Sequence, residues 1–417
     1  MNENYKCMRR VILLLLCAAL FAATVPAARA GKSCGFPGKE WGTASPEAVD
    51  LDEAKLEEAL AWARPRNSQE IAVYRHGCLV AERRWFSEGD TYQSYSMAKS
   101  VTAMAVGRAV TLGLLNLDDR IGPYVPKADT KHARITIRDL LTMTSGLHWN
   151  FFRDYNVFTP RDRVEDALEL PFDHKPGTFF EYAQSTITLL AFVVGKATGQ
   201  DFQEFIQREL FGPIGIDRDA WMWERDAEGN TQGFYGLHMT VDDFARLGYL
   251  MMNEGVWNGK RLIDSGWVKK AISPSPTNPG YGFLFWLNGG PKVINPTVYS
   301  RDVQRGQAIP SAPKDMYFMA GLQEQRVYVI PSLDLMIVRV GGSGNREPDT
   351  RSTIFTSRSG EFEHEWFRQL MAAVKDAKIK DPGPYEYSDP IPPLDPNYGI
   401  LKSAMEPEHL MAGAGGP

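Results

Sequence analysis

The sequence predicts an α+β fold: an antiparallel β-sheet flanked by helices, with a mostly helical subdomain inserted into it. Strand-like stretches lie near both ends, at 71–74 and 78–81 and again at 316–319, 325–330 and 335–340. Helical periodicity dominates the residues between them. The early pair is joined only by the turn residues His76-Gly77, which is a hairpin signal. Strands grouped at the ends, with helices concentrated between, segregate into an α+β architecture.

The elements follow in order. Residues 31–45 read as an irregular lead-in. Residues 46–63 (PEAVDLDEAKLEEALAWA) place Leu51, Leu56, Leu60 and Trp62 in a helical pattern, with Pro46 near the first helical position, where its missing N–H costs nothing. After the hairpin, residues 94–115 (SYSMAKSVTAMAVGRAVTLGLL) form a long helix, apolar nearly all round and so buried. Residues 116–130 are loop, and 135–143 form a short capped helix ending before Ser145-Gly146. The stretch 147–178 is aromatic and charged with little period. Residues 179–197 start extended and become helical, 201–210 is another helix, and Thr240 with Asp243 opens a helix over 240–253. Residues 281–287 read as a strand preceding the three late ones, and 362–378 as a closing amphipathic helix. Residues 31–120 and 230–380 thus supply the sheet part, 121–229 the helical insertion, and 381–417 a Pro- and Gly-rich surface tail.

Composition limits the function classes. Of 417 residues 43% are hydrophobic and 11% aromatic, enough to bury a sizeable core, so bulk disorder is excluded. A net charge of −5 without a basic tract lacks the electrostatic footprint of a nucleic-acid binder. Residues 1–30 read as a signal peptide: Lys6, Arg9 and Arg10 precede an apolar run, and Ala28-Arg29-Ala30 offers small residues for cleavage near Ala30. The alternative is an uncleaved N-terminal anchor. Cleavage removes four cations (Lys6, Arg9, Arg10, Arg29) and one anion (Glu3), taking −5 to −8. The expectation is an exported, periplasmic protein with no stable membrane insertion after signal removal. Cys34 and Cys78 then remain, either paired as a disulfide or as two separate buried thiols.

Ser96-Met97-Ala98-Lys99 is the candidate for chemistry. Spacing i, i+3 on a helix brings both side chains to one face. A Ser hydroxyl is a weak nucleophile until a base takes its proton, and a Lys sunk in an apolar helix loses basicity towards the range where it can be that base. A Ser at a helix N-terminus also has free backbone N–H groups beside it for a developing oxyanion. The string alone is unspecific: Ser311-Ala312-Pro313-Lys314 repeats it in a loop, and a helix N-cap with a snorkelling Lys is the plain alternative.

Five ordered blocks add specificity: SYSMAKS, ITIRDLLTMTSGL, KPGTFFEYAQSTITLLAFVVGKATGQDFQEFI, GFYGLHMTVDDFARLGYLMMNEGVWNGKRLI and MAGLQEQRVYVIPSLDLMIVRVG. Over about 71–340 the chain resembles the serine β-lactamase and penicillin-binding protein superfamily. Within it, the chain looks closest to the branch of class C β-lactamases, β-lactamase-like esterases and 6-aminohexanoate-dimer hydrolases. The resemblance implies a β-lactamase/transpeptidase-like fold, Ser96 as the acylated nucleophile and Lys99 as its base. Tyr182 matches the Tyr of the family's Y-x-N motif, a proton relay to the leaving group. Gln184 stands where Asn is usual, a substrate-binding amide one methylene longer.

The family's K-T-G or H-x-G motif falls on Met319-Ala320-Gly321. Gly321 allows close approach of substrate to the strand, and the backbone N–H groups of Ser96 and Leu322 are the implied oxyanion hole. Met319 departs from the pattern. In penicillin-recognising members a cation here pairs with the substrate carboxylate, so hydrolysis of esters or short linear amides is favoured; the alternatives are a DD-peptidase or β-lactamase that uses another cation, and a catalytically lapsed envelope binding protein. The aromatic stretch after Ser145-Gly146 implies an acyl-pocket wall including Trp149 and Tyr155, with Arg153 or Asp154 as a charged anchor; a separate cluster under a loop is the alternative. The seven His residues lack metal-site spacing, and no cofactor or metal is expected. The implied partner is a small-molecule ester or amide substrate.

Overall fold

The computed structural model describes residues 33–85, 91–156, 161–296, 301–344, 360–386 and 395–406. Strand β1 (Ser68–Arg75) turns into β2 (Cys78–Arg84) through His76 and Gly77. Both turn residues have positive φ, 52° and 72°, the conformation that matches a two-residue hairpin to strand twist. Strands β3 (Trp286–Leu287), β4 (Tyr317–Gly321), β5 (Gln325–Ile330) and β6 (Leu335–Gly341) complete one sheet in the order β2-β1-β6-β5-β4-β3. Every neighbouring pair is antiparallel.

The predicted α+β class holds, and the sheet's pleat explains its layers. On β5, Val327 and Val329 face the helix Val241–Met252, where a Cβ added to Gly248 would lie 2.7 Å and 3.6 Å from their side chains. Arg326 and Tyr328 alternate to the other face, under the helix Gly360–Ala372, where the Tyr328 ring meets Phe367 at 4.9 Å. We label the main helices α1 (Glu53–Ala63), α2 (Met97–Thr111), α3 (Gln184–Thr198), α4 (Val241–Met252), α5 (Gly360–Ala372) and α6 (Gly399–Ala404). Helix α1 packs beside α5 through stacked Trp62 and Phe362 and through the Trp366 indole, which donates to the Ala59 carbonyl at 3.1 Å. Short helices at Ile137–Leu141, Phe151–Asp154, Arg163–Leu168 and Phe202–Ile206 surround α3 in the middle of the chain.

Several boundaries differ from the periodicity reading. The single helix expected over 46–63 is two: a 3-10 turn, Pro46–Val49, and α1. Asp50 turns the chain at φ 57°, Leu51 bridges to Val374, and Asp52 caps α1 by accepting from the Lys55 N–H. The strand expected over 281–287 shrinks to β3. A Cβ on Gly282 would lie 2.1 Å from the Ala271 carbonyl oxygen and Leu284 sits at φ 61°, so the preceding residues follow the neighbouring helix end instead of the sheet. The closing helix stops at Ala372 because Val374 leaves to make the bridge to Leu51. Part of the tail, α6, is helical and docks on Phe151–Asp154: Ser403 Oγ accepts from the Phe151 N–H at 2.8 Å.

Cys34 and Cys78 form a disulfide that ties the lead-in to the hairpin. Phe36 and Trp41 then pack their rings against Tyr249 of α4 at 5.3 Å and 5.4 Å. The expected signal segment lies outside the described residues. Among the described residues no helix is long and apolar enough to cross a membrane.

Candidate active site

Helix α2 starts at Met97, three residues after the start at 94 that its apolar pattern implies, because Tyr92–Gln93 pairs as a short strand with Leu237–Met239 and Tyr95 then takes φ 45°. Positive φ in a bulky residue is costly and persists only where surrounding structure enforces it. The turn delivers Ser96 to the N-cap position, where its side chain caps no backbone group and is left for other work. One turn on, Lys99 is buried, with Nζ 2.8 Å from Ser96 Oγ and 3.1 Å from the Phe234 carbonyl. Its ammonium end lies 4.9 Å from the Tyr182 ring and 5.6 Å from that of Phe234. Burial in this apolar shell pulls the Lys99 pKa down to about 7, and the Asp154 carboxylate partly opposes the drop.

Tyr182 flanks the same serine. Burial pushes its phenol well above the usual tyrosine range, partly opposed by the Ser96 side chain beside it. Trp286 and Tyr281 hold the ring at 5.9 Å and 6.3 Å. Near neutral pH the trio therefore pairs a phenol that keeps its proton with an amine poised to take one.

Gln184 opens α3 and is buried; its Oε1 accepts no hydrogen bond among the described residues. The cap of α3 does not come from Ala183 but from Asp154, whose carboxylate accepts the Gln184 N–H at 2.9 Å and the Ser185 N–H at 3.2 Å. It also accepts the Trp149 indole N–H at 3.1 Å. Of the two residues considered as a charged anchor, Asp154 thus points inward, while Arg153 is tied to Glu169 at 2.7 Å and to the Asp166 carbonyl. Tyr155 comes close: Gln184 hydrogen-bonds its hydroxyl, and burial beside Asp154 and Tyr182 raises the phenol pKa. Trp149 lies against the Asp154 carboxylate that its indole reaches.

On the strand side, Met319 is buried on β4 and Gly321 ends the strand. A Cβ at Gly321 would lie 2.2 Å from the Ser94 carbonyl oxygen, so only glycine lets β4 approach the segment carrying Ser96 this closely. Leu322 follows, opening a tight turn whose next two residues, Gln323 and Glu324, have φ of 58° and 60°. Ser96, Lys99, Tyr182, Gln184, Tyr155 and Gly321 therefore surround one locus. The sequence reading missed two contributors: the Phe234 carbonyl, which no residue type announces, and the capping role of Asp154, whose only sequence signal was an acid among aromatics. Among the described residues, no group of three His, Cys, Asp or Glu could hold a metal ion.

The chain matches the Beta-lactamase family over residues 54–354, more than half its length. It belongs to the beta-lactamase family. It is 24% identical to the 6-aminohexanoate-dimer hydrolase of Paenarthrobacter ureafaciens, over 72% of this chain and 76% of that protein. An N-acetylmuramyl-L-alanine amidase of Bacillus subtilis (strain 168) is 22% identical over 63% of this chain and 69% of its own length. The solved structure of a beta-lactamase/D-alanine carboxypeptidase from Pseudomonas syringae shares the fold, with TM-score 0.54 at 17% identity, covering 77% of this chain and 99% of that one. As a member of this family the chain is a serine hydrolase.

Proposed function

We propose that this beta-lactamase-family enzyme is exported and opens short linear amides and carboxylic esters through an acyl-enzyme on Ser96. The observation that carries the reading is the paired Ser96 and Lys99: Ser96 Oγ is 2.8 Å from the buried Lys99 Nζ, whose ammonium end lies 4.9 Å from the Tyr182 ring. As the Ser96 oxygen bonds to the substrate carbonyl carbon, its proton passes to the Lys99 amine. The carbonyl oxygen becomes an oxyanion facing the N–H groups of Ser96 and Leu322. Collapse of this intermediate breaks the bond to the amine or alkoxide, which leaves with the proton relayed from Lys99 through the Tyr182 hydroxyl. Water then attacks the acyl carbon by the same route reversed, giving the acid and free Ser96.

Two features favour linear substrates. Met319 supplies no cation for a β-lactam carboxylate. Gln184 offers a buried carbonyl oxygen that finds no donor among the described residues, and a substrate N–H is the donor that relieves it. The hydrolases of similar sequence fit the same chemistry: an amino-acid dimer is joined by an amide, and an amidase cleaves one. Export is supported by the basic and apolar pattern of residues 1–30 and by the Cys34–Cys78 disulfide, which belongs to oxidising compartments.

The test is covalent labelling by a fluorophosphonate, followed by intact mass, together with a panel of p-nitrophenyl esters, amino-acid dimers and nitrocefin. Wild type gains one adduct, and Ser96→Ala gains none and turns over nothing. Equal labelling of both proteins would falsify the assignment, and nitrocefin turnover above that of every linear substrate would reverse the substrate class.

A further inference from the structure

We infer that Arg326, on the far face of the sheet from the nucleophile, is a positioning residue for the oxyanion site: its guanidinium grips the carbonyl of the Gly321–Leu322 peptide, whose N–H faces the reacting oxygen. The inference rests on the acyl-enzyme reading above and adds to it a residue that touches no substrate.

Strand register places Arg326 beside the oxyanion turn. Ala320 pairs with Arg326 and Gly321 with Gln325, so Arg326 lies one residue from the strand end that carries Leu322. Alternation sends its side chain away from α2 and α4, to the face covered by α5. From there Nη1 curls back to donate to the Gly321 carbonyl at 2.6 Å, and to the Gln325 carbonyl at 3.2 Å. The Gly321 C=O and the Leu322 N–H belong to one resonant peptide unit. A cation hydrogen-bonded to the oxygen draws electron density from the nitrogen and makes that N–H a stronger donor, an effect enlarged by the low local dielectric.

The guanidinium is itself fixed. Arg326 is only 2% exposed. Its Nε donates to Glu363 Oε1 at 2.8 Å, and the Tyr328 hydroxyl donates to the same oxygen. The turn beyond Leu322 is anchored separately, with Arg339 Nη1 donating to the Glu324 carbonyl at 3.0 Å and the Gly344 N–H donating to the Glu324 carboxylate at 2.8 Å. Two consecutive left-handed non-glycine residues need such anchoring, because they would otherwise relax and swing the preceding peptide. The charge is also felt at the reaction centre: Arg326 acts to lower the Tyr182 pKa against the effect of burial. Where relatives place a cation on the front of β4, this chain has Met319 in front and Arg326 behind.

A buried ion pair that merely fastens α5 to the sheet would show the same contacts, so the experiment must separate the two. The full-length protein is acylated with a slowly deacylating cinnamoyl ester, and the infrared stretch of the Ser96 acyl carbonyl is measured beside the acylation rate. Variants are Arg326→Lys, Glu363→Gln and the paired Arg326→Met/Glu363→Met, which removes both charges together and so leaves neither one buried alone. We expect the paired variant to unfold cooperatively, bind substrate with KM within about twofold, and acylate roughly 10–100-fold more slowly, below the loss seen when an oxyanion donor is removed outright. Its acyl carbonyl stretch moves to higher wavenumber, and Arg326→Lys lies between it and wild type. A folded paired variant with wild-type rate and stretch overturns the inference. If that variant does not fold, Arg326→Lys decides by the same two readouts, wild-type values overturning the inference and a slower, higher-wavenumber acyl-enzyme upholding it. Failure of wild type to form any Ser96 adduct overturns the acyl-enzyme reading itself, a result distinguishable from normal acylation that ignores Arg326.

Discussion

Lys99 Nζ stands 2.8 Å from Ser96 Oγ, inside a helix whose residues from Met97 to Ala109 are all buried. Burial sets the protonation state, with the Lys99 pKa near 7 in place of 10.5. Only the neutral amine can take the Ser96 proton, so kcat/KM should rise about tenfold per pH unit below that value and level off above it. A pH profile of ester hydrolysis checks this. An acid limb centred near pH 4.5 would instead point to a carboxylate base.

The same burial makes Lys99 a liability for the fold. A lysine whose folded pKa lies below its unfolded value destabilises the native state fully below about pH 7, and the penalty fades as pH rises towards 10.5. Lys99→Met should therefore abolish turnover while stabilising the protein by about 0.5–2 kcal/mol. The gain should be larger at pH 6 than at pH 10. Urea unfolding at the two pH values measures it, and a destabilised, inactive variant would refute the trade-off.

Asp154 joins the two halves of the site, capping α3 through Gln184 and Ser185 and acting on Lys99 by its charge. Asp154→Asn removes the charge that favours protonated Lys99, so the acid limb of kcat/KM should shift to lower pH. The weaker cap should cost about 1 kcal/mol of stability. An unmoved limb would show that Asp154 is a cap alone.

The Cys34–Cys78 bond closes a separation of 44 residues. Replacing both with Ala should lower stability by about 3–4 kcal/mol through a less constrained unfolded chain. Wild type treated with reductant should unfold at the same lowered denaturant midpoint. Activity at low temperature should persist, since the bond ties the lead-in to the β1–β2 hairpin and takes no part in the proposed chemistry at Ser96.

Much of the site was legible because it is local. The i, i+3 pairing of Ser96 with Lys99 follows from helix geometry, and the apolar character of α2 already implied a buried, weakly basic amine. Tyr182 and Gly321 were found by their motif positions. The longer errors have a common cause: periodicity cannot see a neighbour. Residues 281–285 alternate like a strand, yet contact with Ala271 and Leu141 bends them away from the sheet. Residues 46–63 look like one helix until Leu51 is drawn off to Val374.

From the sequence alone came the α+β class, Ser96, Lys99 and Tyr182 as candidates for the nucleophile, base and proton relay that the family resemblance implies, and the absence of a cation at position 319. The sequence left Cys34 and Cys78 open and could not assign Asp154 or Arg326, nor find the Phe234 carbonyl. Those were decided by tertiary structure: Asp154 acts on a helix that starts at 184, Phe234 on a lysine 135 positions earlier, and Arg326, though only five residues from the Gly321 carbonyl, is held against it by Glu363 of a distant helix. Side-chain identity fixes what a group can donate or accept. Which partner stands within 3 Å, and how far water is excluded from the pair, is set by packing between segments remote in sequence.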